Sequence, residues 1–141
     1  MKETLLYIRA PKENEERGPL YAESAIAAMH SLKGANVPVS LEMGMGHDGK
    51  IGFFVRAARG AVRLTESQLY AQYPEIDIEY LQEDPFAVQE GEQVVSLDLV
   101  LTDPEVFPIK RHPQFDDMLT RVNVDPIAGI TSTLAHYSVP G

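Results

Sequence analysis

The succession of apolar periods along the first 81 residues constrains this chain more than any other feature. Leu6 and Ile8 mark an alternation over Leu5–Ala10, which predicts a strand. Ala22, Ala25, Ile26, Met29 and Leu32 recur at helical spacing between Leu20 and Lys33, and Gly34 supplies a stop. Val39, Leu41, Met43 and Met45 return to a period of two. Asp48-Gly49 is a two-residue hairpin signal, because both residue types tolerate positive φ, and Ile51, Phe53 and Val55 form the return strand. Thr65 with Gln68 three residues on predicts a capping box, opening a helix that presents Leu69, Tyr70 and Tyr73 before Pro74 ends it. Ile76, Ile78 and Tyr80 then alternate with Glu75, Asp77 and Glu79, which predicts a fourth strand.

This order, β-α-β-β-α-β, predicts an α+β fold of the ferredoxin-like, split βαβ kind over residues 1–84. Its antiparallel sheet carries helices on one face only, so each strand has an oily side and a wet side. The acidic row Glu75, Asp77 and Glu79 falls on the side away from the helices. Residues 85–141 form an extension. "DPFAVQEGEQ" reads as a loop, and "VVSLDLVLT" as a further strand with Val95, Leu97, Leu99 and Leu101 on one face. A loop with Pro104, Pro108 and Pro113 follows. The last element is a helix over Pro126–Tyr137, with Asp125 as N-cap and a stripe of Ile127, Ile130, Leu134 and Tyr137. That apolar surface has two expected fates. It packs onto the first unit, or it begins a second α/β unit continued past residue 141. In the latter case the stripe is the interface, and self-association, the favoured outcome, hides it. The closing "VPG" reads as a boundary inside a longer protein.

Charge and composition narrow the functions. The net charge is −9, and from Leu64 to Ile109 there are eleven Asp or Glu and no Lys or Arg. Binding of nucleic-acid backbone relies on Lys and Arg neutralising phosphates, so the surface as a whole is unsuited to it; Arg56, Arg59 and Arg63 leave room for one local basic patch. With no cysteine there is neither a disulfide framework nor a thiolate nucleophile. The N-terminal apolar run, Leu5 to Ile8, is far short of the ~20 residues of a membrane span. A cytoplasmic protein without membrane insertion is expected.

No residue pattern announces chemistry, and no cofactor, metal or catalytic residue is predicted. The acidic row spaces its carboxylates ~7 Å apart along one strand, too far for all three to hold one ion. "GMGHDGKIG" is glycine-rich, but Gly49-Lys50 is followed by Ile51 in a strand, not by the hydroxyl residue a phosphate loop requires. His30, His47, His112 and His136 sit on separate elements without ligand spacing. Asp116, Asp117 and Asp125 read as caps and dipole partners. One nucleic-acid reading stands apart from these. "LLYIRA" and "KIGFFVRA" fall where an RNA-recognition motif carries its aromatic strands, so Tyr7 and Phe54 are candidate base-stacking residues for a single-stranded nucleic-acid binder. A small enzyme whose site the sequence does not display is the third class.

The stretches "ESQLYAQYPEIDIEY", "VFPIKRHPQFDDML" and "VDPIAGITSTLAHYSVPG" together resemble the N-terminal region of bacterial conjugative-transfer ATPases, of the type IV secretion and DNA-translocase kind. Those proteins continue into a P-loop motor domain. Met118 to Val124 matches them only loosely, and none of their nucleotide-binding residues can be carried onto this chain. The resemblance implies a non-catalytic assembly domain that docks on secretion-channel components or on neighbouring subunits. It also implies a place at the inner face of the membrane, reached through those partners.

Overall fold

A computed structural model of the chain describes residues 3–9, 19–30, 38–46, 49–104, 106–107, 116–117, 122–123 and 127–136. The elements run β1 (Glu3–Arg9), α1 (Pro19–His30), β2 (Val39–Met45), β3 (Ile51–Ala58), α2 (Val62–Gln72), β4 (Asp77–Leu81), β5 (Asp116–Asp117), β6 (Val122–Asn123) and α3 (Ala128–His136). The fold is α+β. Four strands form an antiparallel sheet in the order β2-β3-β1-β4, and β5 pairs with β6 in a separate two-residue ladder.

Register follows the alternation. Leu6 lies opposite Val55 on one side and Tyr80 on the other, while Ile8 lies opposite Phe53 and Ile78. These residues share one sheet face, and Leu6, Val55, Ala57 and Ile78 are buried there with Ile76 and with Ala61 and Val62 from the start of α2. Leu69 of α2 and Tyr73 just past its end close over them. α1 packs against α2, burying Ala25 and Met29, and the Tyr21 and Tyr73 rings meet edge to face at 6.2 Å. Near the middle of α2, the Tyr80 hydroxyl donates to Glu66 at 2.7 Å and ties β4 to the helix.

Several expectations need correction. The hairpin does not close as a two-residue turn. Gly46 N–H donates to Lys50 C=O and Gly49 N–H to Gly46 C=O, with Gly49 at φ +73°, so three residues separate the closing pair and the left-handed residue is the last of them. α2 does not begin at Thr65. The chain turns straight out of β3, Ala61 N–H donating to Ala58 C=O, and burial of Ala61 and Val62 starts the helix earlier. Thr65 is therefore a helix-interior residue, wholly buried, whose Oγ1 has no hydrogen-bond partner. Glu75 lies in the turn before β4, which reduces the strand's acidic row to Asp77 and Glu79.

The largest correction concerns "VVSLDLVLT". Residues 94–102 form no strand. Alternation makes a segment competent for a ladder, but a ladder also needs an edge, and the chain after β4 crosses the sheet face instead of turning back along one.

Candidate functional site

The sheet face opposite α2 is built from the other half of each alternation: Leu5, Tyr7 and Arg9 on β1, Gly52, Phe54 and Arg56 on β3, Glu42 and Gly44 on β2, Asp77 and Glu79 on β4. Tyr7 and Phe54 are cross-strand neighbours, and their rings stack at 5.0 Å with 25° between planes. Gly52 and Gly44 lie opposite each other on β3 and β2. A Cβ at Gly52 would come within 2.6 Å of Tyr7 Cε2, and one at Gly44 within 2.5 Å of Phe86 Cε1. The two glycines thus form a slot in the sheet that the Tyr7 and Phe86 rings occupy.

Phe86 fills the β2 side of that slot and meets Phe54 edge to face at 4.9 Å. It is held by an ion-pair fork. Arg56 donates from Nε to Glu42 Oε1 at 2.8 Å and from Nη2 to Glu42 Oε2 at 3.1 Å. The same Nη2 donates to Asp84 Oδ2 at 2.8 Å, and Asp84 Oδ1 accepts the Phe86 N–H at 2.9 Å. One guanidinium therefore joins β2, β3 and the segment after β4, a geometry that a planar fork allows and a point-charge ammonium does not. Burial disfavours the charged form of Glu42, but the hydrogen bonds from Arg56 and Ser40 and the Arg56 charge outweigh it and hold its carboxyl below the ordinary value. The hydrogen bond to Glu42 is the main cause that raises the guanidinium further above its ordinary value.

Arg9 serves the other side of the face. It pairs with Glu79 and, at 3.5 Å, with Asp77, and its guanidinium carbon lies 5.3 Å from the centre of the Tyr7 ring. The acidic row is thus the counter-charge of one arginine.

The candidate stacking pair Tyr7 and Phe54 is brought together, but the pair is spoken for. Phe54 is buried beneath Tyr7 and Phe86, and Arg9 and Arg56 face four carboxylates. The triplet Arg56, Arg59 and Arg63 makes no patch around Arg56, which is neutralised on the sheet face, while Arg59 and Arg63 are exposed on the turn and helix beyond it. Among the described residues, no group of three or more His, Asp or Glu is placed to hold a metal ion. His30 is exposed on α1, and His136 on α3 has Nδ1 2.6 Å from the Ser132 carbonyl. His47, His112, Asp125 and Tyr137 lie outside the described residues.

Past Phe86 the chain reaches the end of β2, where Met45, Phe86, Val88, Val94 and Val95 line a shallow groove of about 490 Å³. From there Val94–Leu101 runs without secondary structure, and its six apolar side chains are between 54% and 100% exposed. α3 touches β2 and β3. On the described part of the helix Ile127 and Ile130 are exposed and Leu134 is half-buried. Sequence reasoning missed Asp84 and Phe86. Two glycines inside flanking strands, each signalling a close approach, were the available sign of the ring that covers them.

Compared with known proteins, the chain matches no family model, no curated protein and no solved structure. No helix among the described residues is long and apolar enough to cross a membrane.

Proposed function

We propose that this chain is a non-catalytic docking domain that holds a protein partner through its C-terminal third. The exposed run Val94–Leu101 carries the reading. Burying a side chain such as Val or Leu is worth ~1.5–3 kcal/mol, so six such residues left in water together mark a surface meant for contact. The sheet-face aromatics offer a competing ligand little: their rings pack on one another, and a phosphate would have to displace carboxylates from both arginines.

We infer that the scaffold is the ferredoxin-like, split βαβ arrangement. β3 lies between β1 and β2, and β1 between β3 and β4, as two interleaved βαβ units require. The setting we propose is the conjugative DNA-transfer machinery, as an N-terminal assembly domain on the cytoplasmic side. The three sequence stretches that resemble its ATPases support that setting. Sequencing of the coding region tests it: a G-x-x-x-x-G-K-[ST] motif downstream in frame supports the assignment, and a stop codon at position 142 overturns it.

The docking claim is tested by Leu97→Asp with Leu99→Asp. The variant should keep the wild-type melting temperature and lose association. A variant that unfolds would place the segment in the domain's own core and end the docking reading. The Tyr7–Phe54 pair favours a second reading, single-stranded nucleic-acid binding. On that reading Tyr7→Ala should weaken oligonucleotide binding by ~1–3 kcal/mol; we expect no binding at physiological salt to weaken.

A further inference from the structure

We propose that Val94–Leu101 of one copy adds as a fifth strand to the free edge of β2 in a second copy, antiparallel and reciprocally. The inference rests on the docking reading and names its partner. The donor is a segment with unpaired backbone, alternating Val95, Leu97, Leu99 and Leu101 with Val94, Ser96, Asp98 and Val100. An extended segment of this kind binds by adding to a sheet edge, with main-chain bonds for affinity and alternate side chains for register.

The sheet has two edges, β2 and β4. β4 carries Asp77 and Glu79, which share Arg9 as their partner. At the β2 edge the one acid facing out of the sheet, Glu42, is already held by Arg56. The apolar row there is also under-covered: Leu41 is 55% and Phe53 50% exposed, whereas Leu6 in the middle of the sheet is 0%. The exposed surface selects β2.

Register then follows from the side chains. With Leu97 opposite Leu41, an antiparallel donor sets Leu99 against Val39 and Val95 against Met43 on one face. On the other face it sets Asp98 against Ser40 and Ser96 against Glu42. On the first face every apolar residue meets an apolar one, and on the second each acid meets a hydroxyl. Sliding the donor by one residue puts its oily row on the wet face. Sliding it by two, in the sense that sets Asp98 against Glu42, opposes like charges.

The occupant is a second copy because donor and acceptor lie on the same chain and complement each other. Val94 and Val95 already stand beside Met45 at the end of the same chain's β2, yet they form no ladder with it. A reciprocal exchange also buries enough. At about 60–120 Å² of apolar surface per Val or Leu, six residues in each of two copies contribute roughly 700–1,400 Å², which overlaps the range of stable interfaces. α3 sits against β2 and β3, with Ile127 and Ile130 exposed.

The chain has no cysteine, so engineered pairs can report the contact. A Ser40→Cys chain and an Asp98→Cys chain are mixed and gently oxidised. A disulfide-linked heterodimer is expected, on the order of tenfold above a Glu79→Cys control mixed with the same Asp98→Cys chain, since both cysteines must share a face and an edge. Sedimentation equilibrium should find wild type dimeric and the Leu97→Asp, Leu99→Asp variant monomeric, the variant melting where wild type melts once diluted to the monomer. If one chain carrying both cysteines closes an internal bridge as a monomer while the mixed chains stay unlinked, the segment is its own fifth strand. That result overturns this proposal and the docking reading together. If neither link forms, wild type is monomeric and residues 94–101 exchange their amide hydrogens freely, the second copy is ruled out and docking to a different protein stands.

Discussion

Ile76–Leu81 and Val94–Leu101 carry the same message in sequence and meet opposite fates. Each alternates large apolar residues with polar ones, and each follows a turn rich in Pro or Gly. The first becomes β4 and buries Ile76 and Ile78 against α2; the second stays outside the sheet with Leu99 fully exposed. The difference lies in what precedes them. α2 ends at Gln72, and a short turn delivers the next residues to the open edge of β1. Residues 82–93 are instead drawn across the sheet face by Asp84 and Phe86, and they release the chain beyond the end of β2. Alternation specifies what a strand would look like; the preceding connection decides whether it finds an edge.

The sharpest way to break this contrast is hydrogen exchange at a dilution where the chain is monomeric. Amides of Glu79 and Leu81, which face β1, should be protected by roughly 10³-fold or more, near the global limit of a stable domain, while those of Leu97 and Leu99 should exchange at close to unstructured rates. Equal protection would mean that the second segment is paired after all. Truncation should show the same asymmetry. Leu6→Ala should cost ~2–5 kcal/mol in urea unfolding, and Leu99→Ala less than about 0.5 kcal/mol in the monomer.

The fork that draws residues 82–93 over the sheet is tested next. Arg56→Ala leaves Glu42 partly buried without its partner and should cost about 1–3 kcal/mol. Its pH signature has a definite sign. The Glu42 carboxyl is held below its ordinary value of 4.5, so its contribution is fully present above that value and is lost as pH falls through the lower folded-state value. Wild type should therefore exceed Glu42→Gln in stability at neutral pH, and the gap should close in acid. A gap that widens on acidification would refute the assignment. The smallest effect is at Thr65, where replacing the unpartnered hydroxyl by a methyl in Thr65→Val should raise stability by roughly 1 kcal/mol in a thermal melt.

Much of the sheet was legible because one face is buried and register is then pinned: Leu6, Val55 and Ile78 could not be moved by one residue without exposing them. The start of α2 was misplaced because Thr65 and Gln68 spell a cap, and burial of Ala61 and Val62 overrode that local preference. Tyr7 and Phe54 were found as neighbours, since they lie on adjacent strands of a predictable order. Phe86 was not, because a ring that folds back from a loop leaves no period in the sequence. The fork had the same difficulty: Glu42, Arg56 and Asp84 are related only through three-dimensional proximity.

The exposed run has a consequence for handling as well as for recognition. Between Val94 and Leu101 there is one charged residue, Asp98, and neither Pro nor Gly. Short stretches of high β-propensity and low charge are the signature of cross-β stacking, in which identical segments pile into fibrils. Here Asp98 is the gatekeeper, repelling its own image in every neighbouring chain and keeping the run soluble. The same side chain that sets the register of a specific pairing thus guards against the unlimited one.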